Sequence, residues 1–264
     1  MSPLVSRILV AVVGLPAVLL IVYAGGWWLF ALCAVAAVLS LHEYALMTRS
    51  LRPVVLAAYA GALLALLGAS LGGLEWTAGG FLSTLVLAFI LHWIADTRQS
   101  ATVAIAATVL GVGWIGLCVA HLILLRDFSD GRLATFTVLL AVWAGDIGAF
   151  FAGRLIGRHK LAPRLSPGKT WEGFLFGTLA TIFVCFVALY DQDYLTIPES
   201  LLLGLVIAVA APVGDLFESG LKRDMQVKDS GRLLAAHGGV LDRIDSLLFA
   251  VVAAYYLLRA LDAA

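Results

Sequence analysis

The chain has 264 residues, of which 62% are hydrophobic and 13% charged, with a mean hydropathy of +1.02. A water-soluble domain is about half apolar and about a quarter charged, so this composition excludes one and places the chain in a bilayer. Seventeen basic and seventeen acidic side chains cancel, leaving no bulk field for nucleic acid or an acidic partner.

Crossing the hydrocarbon core takes about 20 mainly apolar residues, fewer where the bilayer thins. Nine runs approach that length, at approximately 8–22, 27–46, 54–71, 81–95, 102–125, 133–152, 174–190, 201–217 and 246–260. The first follows a lone Arg7 and shows no small-residue cleavage site, so it reads as a retained helix rather than a signal peptide. The glycine-interrupted stretch 24–28 leaves a second arrangement open, with the first two runs as a re-entrant pair. Cys33, Cys118 and Cys185 each lie inside an apolar run without metal-ligand spacing, and read as small packing residues. Trp27, Trp28 and Trp76 read as interfacial anchors.

Basic residues test the count, because they gather in cytoplasmic loops. Arg7, Arg49, Arg52, Arg98, Arg154, Arg158, Lys160, Arg164, Lys169, Lys222, Arg223, Lys228, Arg232 and Arg243 fall on one side, which is 14 of 17. Only Arg126, Arg132 and Arg259 fall on the other. The expected fold is therefore an all-α integral membrane protein of about nine transmembrane helices, N-terminus cytoplasmic and C-terminus outside. Two long polar loops, 153–173 and 219–245, face the cytoplasm in this topology, where water-soluble substrates are found.

Carboxylates in or beside a spanning helix are costly and are usually paired, hydrated or functional. Asp146 sits well inside the sixth run; Asp215 and Glu218 close the eighth, three residues apart and on one helical face; Asp242 and Asp245 open the ninth with the same spacing. Pro212 and Gly214 loosen the helix just before Asp215. A plainer alternative stands beside a site: Glu218 and Lys222 pair at i, i+4, and Asp242 or Asp245 caps the last helix. Between these acids, Lys222, Arg223, Lys228, Arg232 and Arg243 can neutralise phosphate oxygens, and His237-Gly238-Gly239 can offer backbone N–H groups to a ligand. Asp215, Asp229, Asp242 and Asp245 are hard oxygen donors suited to Mg²⁺, and no thiolate cluster suggests zinc.

The segment 219–245 resembles the signature of phosphatidate cytidylyltransferases, the CDP-diacylglycerol synthases. The matching residues are Ser219, Leu221, Lys222, Arg223, Lys228, Asp229, Gly231, Leu234, His237, Gly238, Gly239, Val240, Asp242, Arg243, Ile244 and Asp245. A second segment, Ser166-Pro167-Gly168-Lys169-Thr170-Trp171-Glu172-Gly173, is similar to the family's Ser-Pro-x-Lys-Thr-x-Glu-Gly loop. Asp146 with its neighbouring glycines and Glu43-Tyr44 also look familial. Ala235 departs from the pattern, standing where the family usually has proline or another turn-favouring residue.

The resemblance implies transfer of CMP from CTP to phosphatidic acid, giving CDP-diacylglycerol and pyrophosphate. It further implies Mg²⁺ held by Asp215 and Asp242, K⁺ as a candidate second cation, and a homodimer in the plasma (inner) membrane with its active site facing the cytoplasm. On this reading residues 1–126 are scaffold and dimer-contact helices, and 127–264 are the catalytic region. Lys222, Arg223 and Lys228 take the triphosphate or lipid phosphate, with Asp229, His237, Arg243 and Asp245 completing the catalytic set. Ser166, Lys169, Thr170 and Glu172 form a second phosphate-binding wall, and Asp146, Ser219, Gly238 and Gly239 also contact substrate. His237 orients its loop or a phosphate rather than moving a proton; His92, His121 and His159 read as packing or solvent-facing. A transporter with Asp146, Asp215 and Glu218 along an ion path is the competing class, but it leaves the cluster of cations in 219–245 unexplained. A relative acting on another lipid phosphate, such as an isoprenoid glycerol ether, is a closer rival.

Overall fold

The computed structural model describes residues 14–95, 100–231 and 238–263. They form eight long helical segments and one small hairpin: α1 (Leu15–Ala24), α2 (Gly26–Met47), α3 (Val55–Ile94), α4 (Ala101–Arg126), α5 (Gly131–Leu155), β1 (Lys160–Ala162), β2 (Ser166–Thr170), α6 (Trp171–Leu189), α7 (Ile197–Asp224) and α8 (Leu241–Ala260). Among the described residues, α2 through α7 are the six helices long and apolar enough to cross a membrane. Large apolar side chains on their outer faces, such as Trp28, Ile94 and Leu155, are more than 70% exposed. Only a lipid surround makes that favourable, so the chain is an all-helical membrane protein.

Two glycines punctuate the N-terminal part in the same way. Gly25, at φ 67° and ψ −155°, separates α1 from α2, and Gly73, at φ 72° and ψ −155°, breaks α3 in its middle. An L-residue rarely adopts these angles, so glycine sets both breaks. Beyond Gly73 the helix folds back: a side-chain carbon on Gly61 would strike Thr84, and one on Gly80 would strike the Leu64 backbone. The predicted runs 54–71 and 81–95 are thus the two arms of α3. Trp27, Trp28 and Trp76, all exposed, stand just past these breaks. A π-turn at Val112–Gly116 interrupts α4.

The backbone divides into two compact units. One comprises the described residues within Met1–Leu124 and Met225–Arg243; the other comprises Leu125–Asp224 with Ile244–Ala264. In the first, the hydroxyl of Tyr44 donates to Ala107 O at 2.8 Å, and Cys33 and Cys118 are buried in the packing. In the second, α5 and α6 approach through small residues. A side-chain carbon on Gly145 would run into Thr181, and one on Gly177 would meet Gly145 O at 2.8 Å. Such approach is a common basis of helix association in lipid. Gly214 on α7 lies as tightly against Asp245 O on α8.

The polar segments are shorter than composition suggests. α7 continues to Asp224, so Ser219, Lys222 and Arg223 occupy its last turns, and Asp242, Arg243 and Asp245 already belong to α8. The second motif is likewise ordered: Ser166–Thr170 is β2, paired antiparallel with β1, and α6 starts at Trp171. Polar residues here mark helix ends, because a helix terminus needs partners for its open N–H and C=O groups.

Candidate active site

In the second unit, Lys169 extends from β2 to α7. Its Nζ lies 2.7 Å from Asp215 Oδ2 and donates to Pro212 O at 3.4 Å. These contacts join the hairpin motif to the helix that leads into the second motif, with Lys169 and Pro212 43 residues apart in the chain. Asp215 Oδ1 also accepts from the hydroxyl of Ser219 at 3.3 Å, one helical turn on. Arg223 Nε donates to Leu165 O at 3.2 Å, a second tie between α7 and the hairpin. Glu218, only 1% exposed, is paired with Lys222 Nζ at 2.7 Å. The expected i, i+4 pair therefore forms, and it is what makes burial of the Glu218 charge tolerable. Asp245 on α8 is buried and accepts the Ser246 N–H at 2.7 Å. Asp146 lies within electrostatic range of Asp245, Asp215 and Lys169. It borders a cavity of about 30 Å³ lined also by Gly145, Ala149, Thr178, Thr181 and Pro212, room for about one or two waters.

The hairpin has its own supports. Thr170 is buried and its Oγ accepts the Gly173 N–H at 3.1 Å, capping α6. Glu172 accepts the Arg158 N–H at 3.1 Å and the His159 N–H at 3.2 Å, and its Oε1 lies 2.6 Å from His159 Nδ1. Thr170 and Glu172 thus spend their oxygens on shaping the hairpin, while Lys169 is the side chain that reaches the carboxylates. Ser166 opens β2 opposite Ala162.

In the first unit, Asp242 Oδ2 accepts the Gly239 N–H at 2.8 Å and Oδ1 the Ser230 N–H at 3.4 Å. Gly238 turns the chain at φ 81°, where a side chain would be strained. The capping role anticipated for Asp242 is present. Lys228, Asp229 and Arg243 are exposed. His237, Arg232 and Ala235 lie outside the described residues.

The residue least prominent in sequence is Glu43, at the end of α2. It is fully buried, and accepts the Val240 N–H at 3.0 Å, the Leu241 N–H at 2.9 Å and the Ser230 hydroxyl at 3.4 Å. Its signals in the sequence are a carboxylate near the end of a mainly apolar helix and the resemblance carried by Glu43-Tyr44.

As to a metal, no group of three or more His, Cys, Asp or Glu among the described residues is arranged to hold one. Mg²⁺ is usually bound by one or two carboxylates together with substrate phosphates, and needs no such cage. The donor chemistry suits it: Asp215 already faces a cation, the Lys169 ammonium, and Asp242 is an oxygen donor held in place by backbone amides.

Helices that expose apolar surface to lipid, carrying carboxylates and ammonium groups at their ends, define a membrane-embedded protein equipped for phosphate chemistry. The chain belongs to the cytidylyltransferase family, whose profile matches residues 5–261. A phosphatidate cytidylyltransferase of Synechocystis sp. is 32% identical to it over 285 residues, 95% of each chain. One from Staphylococcus haemolyticus is 37% identical over 66% of this chain and 68% of its own length. One from Mycobacterium leprae is 39% identical over 59% of this chain and 50% of its own.

Proposed function

We propose that this chain is a CTP:phosphatidate cytidylyltransferase, a nucleotidyltransferase that moves CMP from CTP to the phosphate of phosphatidic acid. The observation that carries the reading is the Lys169–Asp215 contact, which ties one motif segment to the helix that leads into the other, within a chain that aligns along 95% of its length with a phosphatidate cytidylyltransferase. In the reaction a phosphate oxygen of phosphatidic acid attacks the α-phosphorus of CTP. A new P–O bond forms, the bond from the α-phosphorus to the bridging oxygen breaks, and pyrophosphate leaves with the negative charge.

The lipid phosphate is ionised near neutral pH, so no strong base is needed, and the obstacle is repulsion between two anions. Lys169, Lys222, Arg223 and Lys228 lower it by neutralising phosphate oxygens as charge shifts toward the leaving group. Asp215 and Asp242 are the residues that would hold Mg²⁺, with K⁺ a candidate second cation; when bound, the metal supplies further positive charge to the phosphates. Asp245 and Asp146 lie within electrostatic range of Asp215, and Glu218 holds Lys222 in register. The alternating basic loops and the breaks at Gly25 and Gly73 support nine spans with the N-terminus and the site in the cytoplasm, in a bacterial plasma membrane. A homodimer is part of the same reading. Purified protein should release pyrophosphate and form CDP-diacylglycerol only when CTP, phosphatidic acid and Mg²⁺ are all present. Formation of product in detergent, where no gradient exists, also separates this reading from a transporter.

A further inference from the structure

We infer that Glu43 is a positioning residue for the proposed reaction: its buried carboxylate caps the N-terminus of α8 and so aims Asp242. The first turn of a helix leaves N–H groups without intrahelical partners, and a side chain close in sequence normally takes them. Here the Val240 and Leu241 N–H groups are taken instead by Glu43, 197 and 198 residues earlier in the chain, at 3.0 and 2.9 Å. The same carboxylate accepts the Ser230 hydroxyl at 3.4 Å. Neither Gly231 nor Gly239 has room for a side-chain carbon, because both backbones lie directly against the Glu43 carboxylate. Glu43 therefore ties two stretches of the signature, Ser230-Gly231 and Gly239-Val240-Leu241, to the end of α2.

A carboxylate with no measurable exposure is tolerated there because three donors and the positive end of the α8 dipole surround it. Asp242 depends on that arrangement. Its two oxygens accept from Gly239 and Ser230, which belong to the two stretches that Glu43 holds. Loss of the Glu43 acceptor oxygens would let the turn at Gly238–Gly239 drift and carry the Asp242 carboxylate with it. A supporting hydrogen-bond partner of a metal ligand typically changes affinity or activity about 10- to 100-fold when removed.

The inference rests on the reading that Asp242 belongs to the active site, and the test separates the two. Glu43→Gln keeps the shape but replaces one acceptor oxygen with a donor, facing N–H groups that need acceptors. In the purified full chain, Glu43→Gln should lower kcat about 10- to 100-fold, with KM for CTP within about twofold. Hydrogen exchange of the amides at 240 and 241 should rise about tenfold, one hydrogen bond's worth, while α5 and α6 exchange as in the wild type. Mn²⁺ binding followed by electron paramagnetic resonance should weaken in parallel. Glu43→Asp, which keeps two acceptor oxygens on a shorter arm, should recover part of each effect, and it decides the matter if Glu43→Gln does not fold. Wild-type exchange at 240 and 241 with wild-type kcat would overturn the inference. So would faster exchange along every helix with activity tracking the folded fraction, the mark of a merely structural role. If Asp242→Asn turns over like the wild type, the active-site reading fails, whereas the exchange result still judges the cap.

Discussion

The two units hold their candidate-site carboxylates by opposite means. In one, Asp215 and Glu218 on α7 are matched by ammonium groups, Lys169 and Lys222, each at 2.7 Å. In the other, Glu43 and Asp242 are held by backbone N–H groups around the start of α8. Side-chain cations on rotatable stems can change partner, from carboxylate to phosphate, at little backbone cost. Backbone amides cannot move without moving the helix terminus. The contrast assigns adaptable charge to the α7 cluster and fixed geometry to the α8 terminus.

Substitutions break that contrast in order of expected size. Asp242→Asn should be the most severe for turnover, a loss of at least about 100-fold in a steady-state pyrophosphate assay. Asparagine retains one carbonyl acceptor for Gly239, so a folded protein with wild-type thermal unfolding should accompany the loss. Lys169→Met should lower kcat/KM about 10- to 100-fold, and Lys169→Arg should restore part of it, since charge rather than a fixed backbone contact is being tested. Glu218→Ala leaves Lys222 without its nearby carboxylate and is expected to cost about 3 kcal/mol of stability, read as a lower unfolding midpoint in detergent. Gly177→Val forces α5 and α6 apart where no side chain fits; overpacking of this kind costs about 1–3 kcal/mol, with a smaller effect on kcat than any of the charge changes.

The α7 side of this contrast was legible in sequence because its logic is local. Asp215, Glu218, Ser219 and Lys222 repeat at three- and four-residue spacings, so one helical face predicts their grouping, and the i, i+4 pair of Glu218 with Lys222 follows directly. The contact of Lys169 with Asp215 is not legible there, because periodicity is silent on which loop meets which helix; the resemblance implies only that the Lys169 loop is a second phosphate-binding wall. The extent of the loops was misjudged for a physical reason. Ser219–Asp224 and Leu241–Asp245 are polar yet helical, since a helix leaving the hydrocarbon keeps its backbone hydrogen bonds while its side chains meet water or substrate. Thr170 and Glu172, which the resemblance places in a phosphate-binding wall, also shape the hairpin: one caps α6 and the other clamps His159. Glu43 was the least legible. Two of its partners are backbone N–H groups nearly 200 residues away, which carry no side-chain signature.

The measurement that tests the central claim most directly is a substrate panel on the purified protein, with lipid phosphates crossed against CTP and dCTP and products identified by mass. The account predicts CDP-diacylglycerol and stoichiometric pyrophosphate from phosphatidic acid and CTP with Mg²⁺, and no such product from Asp242→Asn. Turnover confined to a different lipid phosphate, or none with any lipid in a folded wild-type protein, would contradict it.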